Sequence, residues 1–284
     1  MTAPLPIYDV YVIEYARSKD QPIASLLLGV YDRGNIDLPF SFVMARAEHR
    51  VVLVDTGFMR EGSGEAMAKK FGIERWISPL RMLDQLGVAA EDVTDIVLTH
   101  AHYDHMGSID KFPNAQIYIQ KREVLSWVEA MAMPQQFGFL TKALDAEDVH
   151  ELLRAAEQHR VTLLGGDQQN IVPGIHAYLG ADSHTFGSQY VTVNSPRGSL
   201  IVAGDCAYSY ANLTGLNGEG VYIPLGFGIG SHFESLKVID RMMKEVEGDL
   251  DRVIALHDFE RWTRFAPFAE VDGFKIARVS PTCT

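Results

Sequence analysis

The stretch Thr99-His100-Ala101-His102-Tyr103-Asp104-His105-Met106-Gly107 decides the reading of this chain. Three imidazoles and a carboxylate fall between positions 100 and 105, directly after the short run Asp95-Ile96-Val97-Leu98. Short apolar runs bounded by polar residues read as buried strands, so the cluster sits on the loop that leaves a strand's C-terminal end. Residues two apart in extended chain face the same way. His100 and His102 can therefore bind one cation, while Asp104 and His105, where the chain turns away, reach a second. Imidazole with carboxylate suits Zn, Mn, Fe or Co rather than Cu(I) or Ca. A polar loop with adventitious histidines would account for any one of these residues, but not for all four at this spacing after a strand.

Further apolar runs end in residues of the same kind. Leu200-Ile201-Val202-Ala203-Gly204 leads into Asp205, and Arg252-Val253-Ile254-Ala255-Leu256 leads into His257. His184 follows the apolar run 175–179 by a few residues. Strand ends on one rim of a sheet converge, so these residues can meet the first cluster. Taken singly, Asp205 reads equally as a turn residue, His257 as a helix N-terminal residue and His184 as a loop donor.

The remaining sequence frames this centre. With 284 residues, 47% hydrophobic and 22% charged, the chain fits one large α/β domain over 1–284 with a sizeable core. A formal charge of −12, from 25 Lys plus Arg against 37 Asp plus Glu, argues against nucleic acid and anionic membrane as partners. Two cysteines, Cys206 and Cys283, are too few for a disulfide framework or a cysteine-rich zinc site. The start, Met1-Thr2-Ala3-Pro4-Leu5-Pro6, lacks a basic segment leading into an apolar core, and Asp9 and Glu14 interrupt the apolar residues beyond it. No run approaches the ~18 apolar residues of a membrane span. A cytoplasmic protein acting on a small molecule is expected, and a homodimer is compatible with the sequence.

In chain order, residues 8–15, 25–31, 40–45 and 51–54 read as strands of an opening antiparallel meander. Residues 65–71 form a short helix, and Ser78-Pro79 starts another that stops at Gly87. A strand over 116–119 precedes helices over 121–131, with Val124, Leu125 and Val128 inward, and 146–159, with Val149, Leu152, Leu153 and Ala156 inward. Between them lies an irregular, apolar loop at 133–140. Strands at 175–179, 190–194 and 200–203 come next, the last two joined by the turn Ser195-Pro196-Arg197-Gly198. Residues 208–230 are rich in Gly, Asn and aromatics without periodicity, as in a lid or pocket wall. A helix over 233–246 and a strand over 252–256 complete the pattern. Strands, helices, then strands and helices again predict two sheets enclosed by outer helices rather than strict βαβ alternation.

Through His100-Ala101-His102-Tyr103-Asp104-His105, His184, Asp205 and His257, in that order, the chain resembles the metallo-β-lactamase-fold hydrolases. Asp55-Thr56-Gly57, at a strand end before the cluster, fits the same pattern, and the resemblance runs over roughly 40–265. It implies an α/β fold of the four-layer αββα type and two divalent ions, Zn2+ first among those suited. His100, His102 and His184 would hold one ion, Asp104, His105 and His257 the other, with Asp205 between them. Within the superfamily the chain looks most similar to N-acyl-homoserine lactonases and 4-pyridoxolactonases. Asp205-Cys206-Ala207-Tyr208 matches their Asp-x-x-Tyr, and His257-Asp258-Phe259 is similar to their last ligand segment. The family's Thr-Pro-Gly-His-Thr-Pro-Gly-His is replaced by Ala181-Asp182-Ser183-His184-Thr185-Phe186-Gly187-Ser188, which keeps the ligand and changes its loop.

The resemblance implies a hydrolase that opens a lactone or related cyclic ester or amide with a hydroxide bridging the two ions. Tyr208 would donate to the developing oxyanion and Asp104 would pass a proton to the leaving oxygen. The alternatives are a thioesterase or phosphodiesterase on the same site, or a non-hydrolytic metal protein such as a mononuclear iron oxygenase. Asp55 reads as a support for the ligands rather than one of them. His49, His150, His159 and His176 read as surface or core residues, and His232 as a pocket or helix-capping residue. Cys206 reads as a small buried residue, and Phe137, Phe139, Tyr222 and Phe227 as an apolar pocket wall.

Overall fold

Strand alternation sets the layers. The computed structural model describes residues 4–279, and Cys283 and the first three residues lie outside them. It opens on an antiparallel meander of β1 (Asp9–Pro22), β2 (Asn35–Ala47) and β3 (Arg50–Val54). Ile13, Phe42 and Leu53 join one buried cluster, whereas their neighbours Val12, Val43 and Val52 join another. A period of two with both faces apolar marks a sheet covered on each side.

The chain continues through α1 (Gly62–Lys70), the short β4 (Ile73–Trp76) against β1, α2 (Pro79–Asp84) and β5 (Asp95–Val97). The one-turn α3 (Tyr103–Met106), β6 (Gln116–Gln120), α4 (Lys121–Met131), α5 (Ala146–Glu157) and β7 (Val161–Leu164) come after it. β3, β5, β6 and β7 pair in parallel, so the helices between them are crossovers on one face. Val124, Trp127, Val149 and Leu152 anchor α4 and α5 to that face.

The second sheet is built from β8 (Gln168–Val172), β9 (Ile175–Leu179), β10 (Gln189–Ser195) and β11 (Gly198–Val202), all antiparallel. After α6 (Tyr210–Thr214) and α7 (His232–Glu245), β12 (Val253–Ile254) joins β11 in parallel. Val191, Leu200 and Ile254 face the first sheet, while Tyr190, Ile201 and Val253 pack with Leu213, Ile239 and Met242 of the outer helices. Beyond α8 (Arg261–Arg264), β13 (Pro267–Val271) and β14 (Phe274–Arg278) return to the first sheet beside β1. The result is the expected four-layer αββα sandwich. Its sheets run β13-β14-β1-β2-β3-β5-β6-β7, with β4 on β1, and β12-β11-β10-β9-β8.

Several local expectations are corrected. Residues 25–31 are not a strand: they form turns with a single bridge, Leu27 to Leu225. Leu26, Leu27 and Val30 are buried with Tyr208 and Leu225 instead of in a sheet, and Tyr31 is exposed. β2 starts before Pro39, which pairs with Arg17 of β1. β3 reaches only as far as Val43, so the missing Pro39 N–H faces no neighbouring strand. β4, β7, β8 and β13 are further strands beyond those expected, short and burying little, and β14 is another, short but buried on both faces. Residues 208–230 hold the short helix α6 within otherwise irregular chain. On α4 the inward residues are Val124, Trp127 and Ala130, with Leu125 and Val128 exposed. On α5 they are Val149, Leu152 and Ala155, with Leu153 and Ala156 exposed.

The adjacent leucines of α5 test this placement at constant chemistry. Leu152 is 3% exposed and Leu153 44% exposed. Leu152→Ala should cost about 2–5 kcal/mol of stability by urea unfolding, and Leu153→Ala under about 1 kcal/mol. Equal losses would contradict the orientation of the helix.

Candidate metal centre

Four strands deliver the centre. β3 leads into Asp55, β5 into His100, β11 into Asp205 and β12 into His257. The parallel pairs β3–β5 and β11–β12 put these ends on one rim between the sheets. α3 then turns Asp104 and His105 inward beneath His102, its N-cap residue. Gly204 makes the approach of Asp205 possible. Its φ is +53°, and a Cβ there would lie 2.6 Å from Cβ of Thr99, so any side chain would push the two ligand loops apart.

The seven side chains fall into two groups, His100, His102, His184 with Asp205, and Asp104, His105 with His257. In the first, His184 Nε2 lies 3.0 Å from His102 Nδ1 and 3.3 Å from Asp205 Oδ2, with His100 Nε2 3.7 Å from the same oxygen. In the second, His105 Nε2 is 3.4 Å from His257 Nε2 and 3.3 Å from Asp104 Oδ2. Asp205 turns its other oxygen, Oδ1, to this group, at 3.0 Å from His257 Nε2 and 3.2 Å from His105 Nε2. One carboxylate thus spans both.

All seven are buried, and their polar atoms point at one another. Among the described residues neither His100 Nε2 nor Asp205 Oδ1 has a hydrogen bond of good geometry, an arrangement that is costly unless something else satisfies them. Burial holds the His102 imidazole down to about 3 and that of His184 to about 4, and it pushes His100 well below the usual range. These rings are neutral and present lone pairs, as metal binding requires. Burial also disfavours charge on His105, but Asp205, Asp104 and Asp55 around it outweigh that and raise it well above the usual value. Asp205 is held well below the carboxylate range despite its burial, by His105 and His257. The three neutral imidazoles of the first group, the ionised Asp205 and the orphaned lone pairs suit a transition-metal ion, and Asp104, His105 and His257 offer a second one donors of the same kind.

The far nitrogens of four rings are fixed by oxygen. His105 Nδ1 is 2.8 Å from Asp55 Oδ2, His257 Nδ1 2.9 Å from the Pro39 carbonyl, and His100 Nδ1 3.0 Å from Thr99 Oγ1. His184 Nδ1 is 3.3 Å from Tyr208 Oη. Such contacts set the tautomer that frees the opposite nitrogen. Asp55 has the supporting role expected of it: it also accepts the Thr99 N–H at 2.7 Å and hydroxyl at 2.8 Å. Its own backbone takes the left-handed φ of +62°. The Tyr208 hydroxyl donates to the Phe227 carbonyl at 3.0 Å.

Glu123 went unnoticed in the sequence. It is fully buried on α4 and accepts the Ala101 N–H at 3.0 Å and Trp127 Nε1–H at 2.7 Å through Oε1. Through Oε2 it accepts the Thr185 hydroxyl at 2.9 Å and the Gly187 N–H at 2.6 Å. Burial raises its pKa, and these four donors oppose the rise. One carboxylate therefore ties the loop between His100 and His102 to the loop after His184. A Cβ on Gly187 would meet the Glu123 backbone nitrogen at 2.5 Å, which explains the glycine in this rewritten loop. Nothing in the sequence distinguishes Glu123 from other glutamates of amphipathic helices.

A cavity of about 550 Å³ opens over the centre, with His102, Asp104, Asp205 and His257 at its floor. Tyr208, Phe227, Phe40 and Phe71 line its walls. Of the aromatics expected in that wall, Phe227 alone is there. Phe137 and Phe139 are exposed, and Tyr222 packs against the α7 side. His232 is exposed at the start of α7, where Ser231 supplies the cap. His49, His150 and His159 are also exposed, His176 is half-buried, and Cys206 is a buried free thiol.

Glu123→Gln tests the tie between the loops. Its amide nitrogen would face two donors whichever way it turned, so stability should fall by about 1–3 kcal/mol. Metal affinity should weaken about ten- to a hundredfold, measured by competition with a chelating dye. Unchanged affinity would separate Glu123 from the centre.

The profile of the Metallo-beta-lactamase superfamily matches residues 37–256, most of the chain, ending one residue before His257. The N-acyl homoserine lactonase AttM of Agrobacterium fabrum is 25% identical over 243 residues, 81% of this chain and 85% of that one. AttM of Azorhizobium caulinodans is 27% identical over 184 residues, 63% and 64% of the two chains. The probable metallo-hydrolase of Mycobacterium bovis is 26% identical over 134 residues, 44% of this chain, and the match spans only 42% of that protein. Among solved structures, an N-acyl homoserine lactone hydrolase with N-hexanoyl-L-homoserine at its catalytic metal centre aligns with a TM-score of 0.67. It is 19% identical, over 94% of this chain and 99% of that one. The dizinc quorum-quenching lactonase AidC aligns at 0.65, 20% identical, over 98% and 96%. At these identities the structural likeness concerns the fold, and the profile match carries the family: this chain belongs to the metallo-beta-lactamase superfamily.

Proposed function

We propose that this protein is a metal-dependent hydrolase that opens a lactone or related cyclic ester or amide of a small molecule at a dinuclear centre. The observation that carries the reading is the pair of donor groups joined by Asp205 at the floor of one cavity. His100, His102 and His184 would hold one divalent ion, Asp104, His105 and His257 the other, and Asp205 both, with Zn2+ the first candidate and Mn, Fe or Co also suited. Such a pair of ions supplies Lewis acidity and a water ionised near neutral pH. The lactonases among the relatives favour a carboxylic ester over a phosphodiester.

The chain's own groups do the rest. The cavity volume lies in the range of small-ligand sites, roughly 300–1,000 Å³. Leu26, Leu38, Phe40, Phe71 and Phe227 exclude water from its walls and hold the apolar part of the substrate. Asp104, at the floor, takes up the proton released by the attacking water and passes it to the leaving oxygen. Tyr208 shifts its hydroxyl proton from the Phe227 carbonyl to the oxyanion, while His184 continues to donate to its oxygen.

A panel of lactones, cyclic amides, thioesters and phosphodiesters tests the reaction on metal-replete protein in H2(18)O. Lactone opening should release acid and place one solvent oxygen in the new carboxylate. A trapped acyl-enzyme, or preference for the phosphodiesters, would contradict the proposal.

Tyr208→Phe keeps the ring and every ligand. Its kcat should fall about ten- to a hundredfold, less than for loss of a lone oxyanion donor because the ions share the charge. Both ions should remain bound. Unchanged kcat would reduce Tyr208 to packing, and loss of metal without further effect would confine it to holding His184.

A further inference from the structure

The charges around the cavity oppose those of the whole chain. The protein carries −12, yet apart from the acids and imidazoles of the centre, the charged residues lining this cavity are Lys69, Lys70 and Lys142. Lys69 is partly neutralised, its Nζ lying 3.4 Å from Glu65. The other two have no carboxylate within salt-bridge distance among the described residues. Lys70 Nζ instead donates to the backbone carbonyl of Lys142 at 2.6 Å and lies 5.7 Å from the Phe71 ring centroid. That bond holds the end of α1 to the segment before α5 and keeps two ammonium-bearing residues together at the mouth.

Like charges placed side by side repel, and this surface has acids in plenty with which to separate them. Leaving the pair unneutralised beside an apolar wall means that attraction is available to whatever enters. A cavity mouth lined by lysines in a chain of net negative charge focuses its field on ligands of negative charge. The ligand is small, because the space is about 550 Å³. It has an acyl ring end for the floor, an apolar middle for Phe71 and Phe227, and a group that answers Lys70 and Lys142 at the mouth.

We propose that the substrate is acidic: a lactone or cyclic ester whose end remote from the ring carries a carboxylate, met by Lys70 and Lys142. This rests on the ring-opening reading above and specifies its substrate. The ring-opened product is then a dicarboxylate.

The test uses a matched pair of lactones that differ only in a terminal carboxylate or its methyl ester, with the metal-loaded full chain. At low salt the acid should show kcat/KM at least about tenfold above the ester, and its advantage should shrink as ionic strength rises to about 0.5 M, as screening requires. In Lys70→Gln/Lys142→Gln the ratio should fall toward one, and in Lys142→Glu it should invert. The unfolding midpoint should drop only slightly in the double variant, which loses the single exposed bond from Lys70 to the Lys142 carbonyl, and should hold in Lys142→Glu, which keeps it. Equal or better turnover of the methyl ester by the unmodified protein would overturn the acidic substrate and leave ring opening standing. If neither lactone is opened, ring opening itself fails, and calorimetry with the open-chain dicarboxylate decides the lysines. Binding weakened about tenfold in the double variant would support their role, and equal binding would overturn it.

Discussion

A single buried carboxylate, Asp205, stands between two groups of imidazoles with one oxygen turned to each, and the fold is arranged to keep it there. β11 brings Asp205 up beside β12 and His257, and the glycine before it lets the chain pass against Thr99. Across the interface between the sheets, β3 and β5 bring Asp55 and the histidine loop to the same rim. The parallel order of each strand pair matters, because reversing either strand would carry its ligand to the opposite end of the sandwich.

Gathering so many buried polar groups destabilises a protein unless each is satisfied. Here the satisfaction comes in two tiers. The outward nitrogens of His100, His105, His184 and His257 meet Thr99, Asp55, Tyr208 and the Pro39 carbonyl. Behind them Glu123 binds the loops on which three of the ligands ride. The inward atoms are left facing one another, and that remainder is what a pair of cations would satisfy. The lysines at the cavity mouth obey the same logic on a larger scale, as charge left unanswered until a ligand arrives.

Much of this was legible because the ligands come directly after strands. His100, His102, Asp104 and His105 stand together in sequence, and Asp205 and His257 each close an apolar run, so spacing alone placed them on a rim. The layers were legible from strands apolar on both faces. Other features leave no such trace. The apolar run at 25–31 has strand composition, but its partners are Tyr208 and Leu225, far along the chain. Leu125 and Leu153 satisfy helical spacing as well as their buried neighbours do, and only the direction of the sheet decides between the faces. The edge strands β7, β8 and β13 bury too little to alternate. Glu123 and the Pro39 carbonyl act through hydrogen bonds to distant loops, which no local pattern announces.

The central claim, that this centre holds two ions joined by Asp205, is tested most directly by titrating the metal-free protein with Zn2+ in a calorimeter. Elemental analysis after dialysis checks the count. The account predicts two ions retained per chain, and in Asp205→Asn a weakening of both, since its carboxylate serves each group. One ion or none after full reconstitution, or an Asp205→Asn protein that weakens only one of the two, would contradict it.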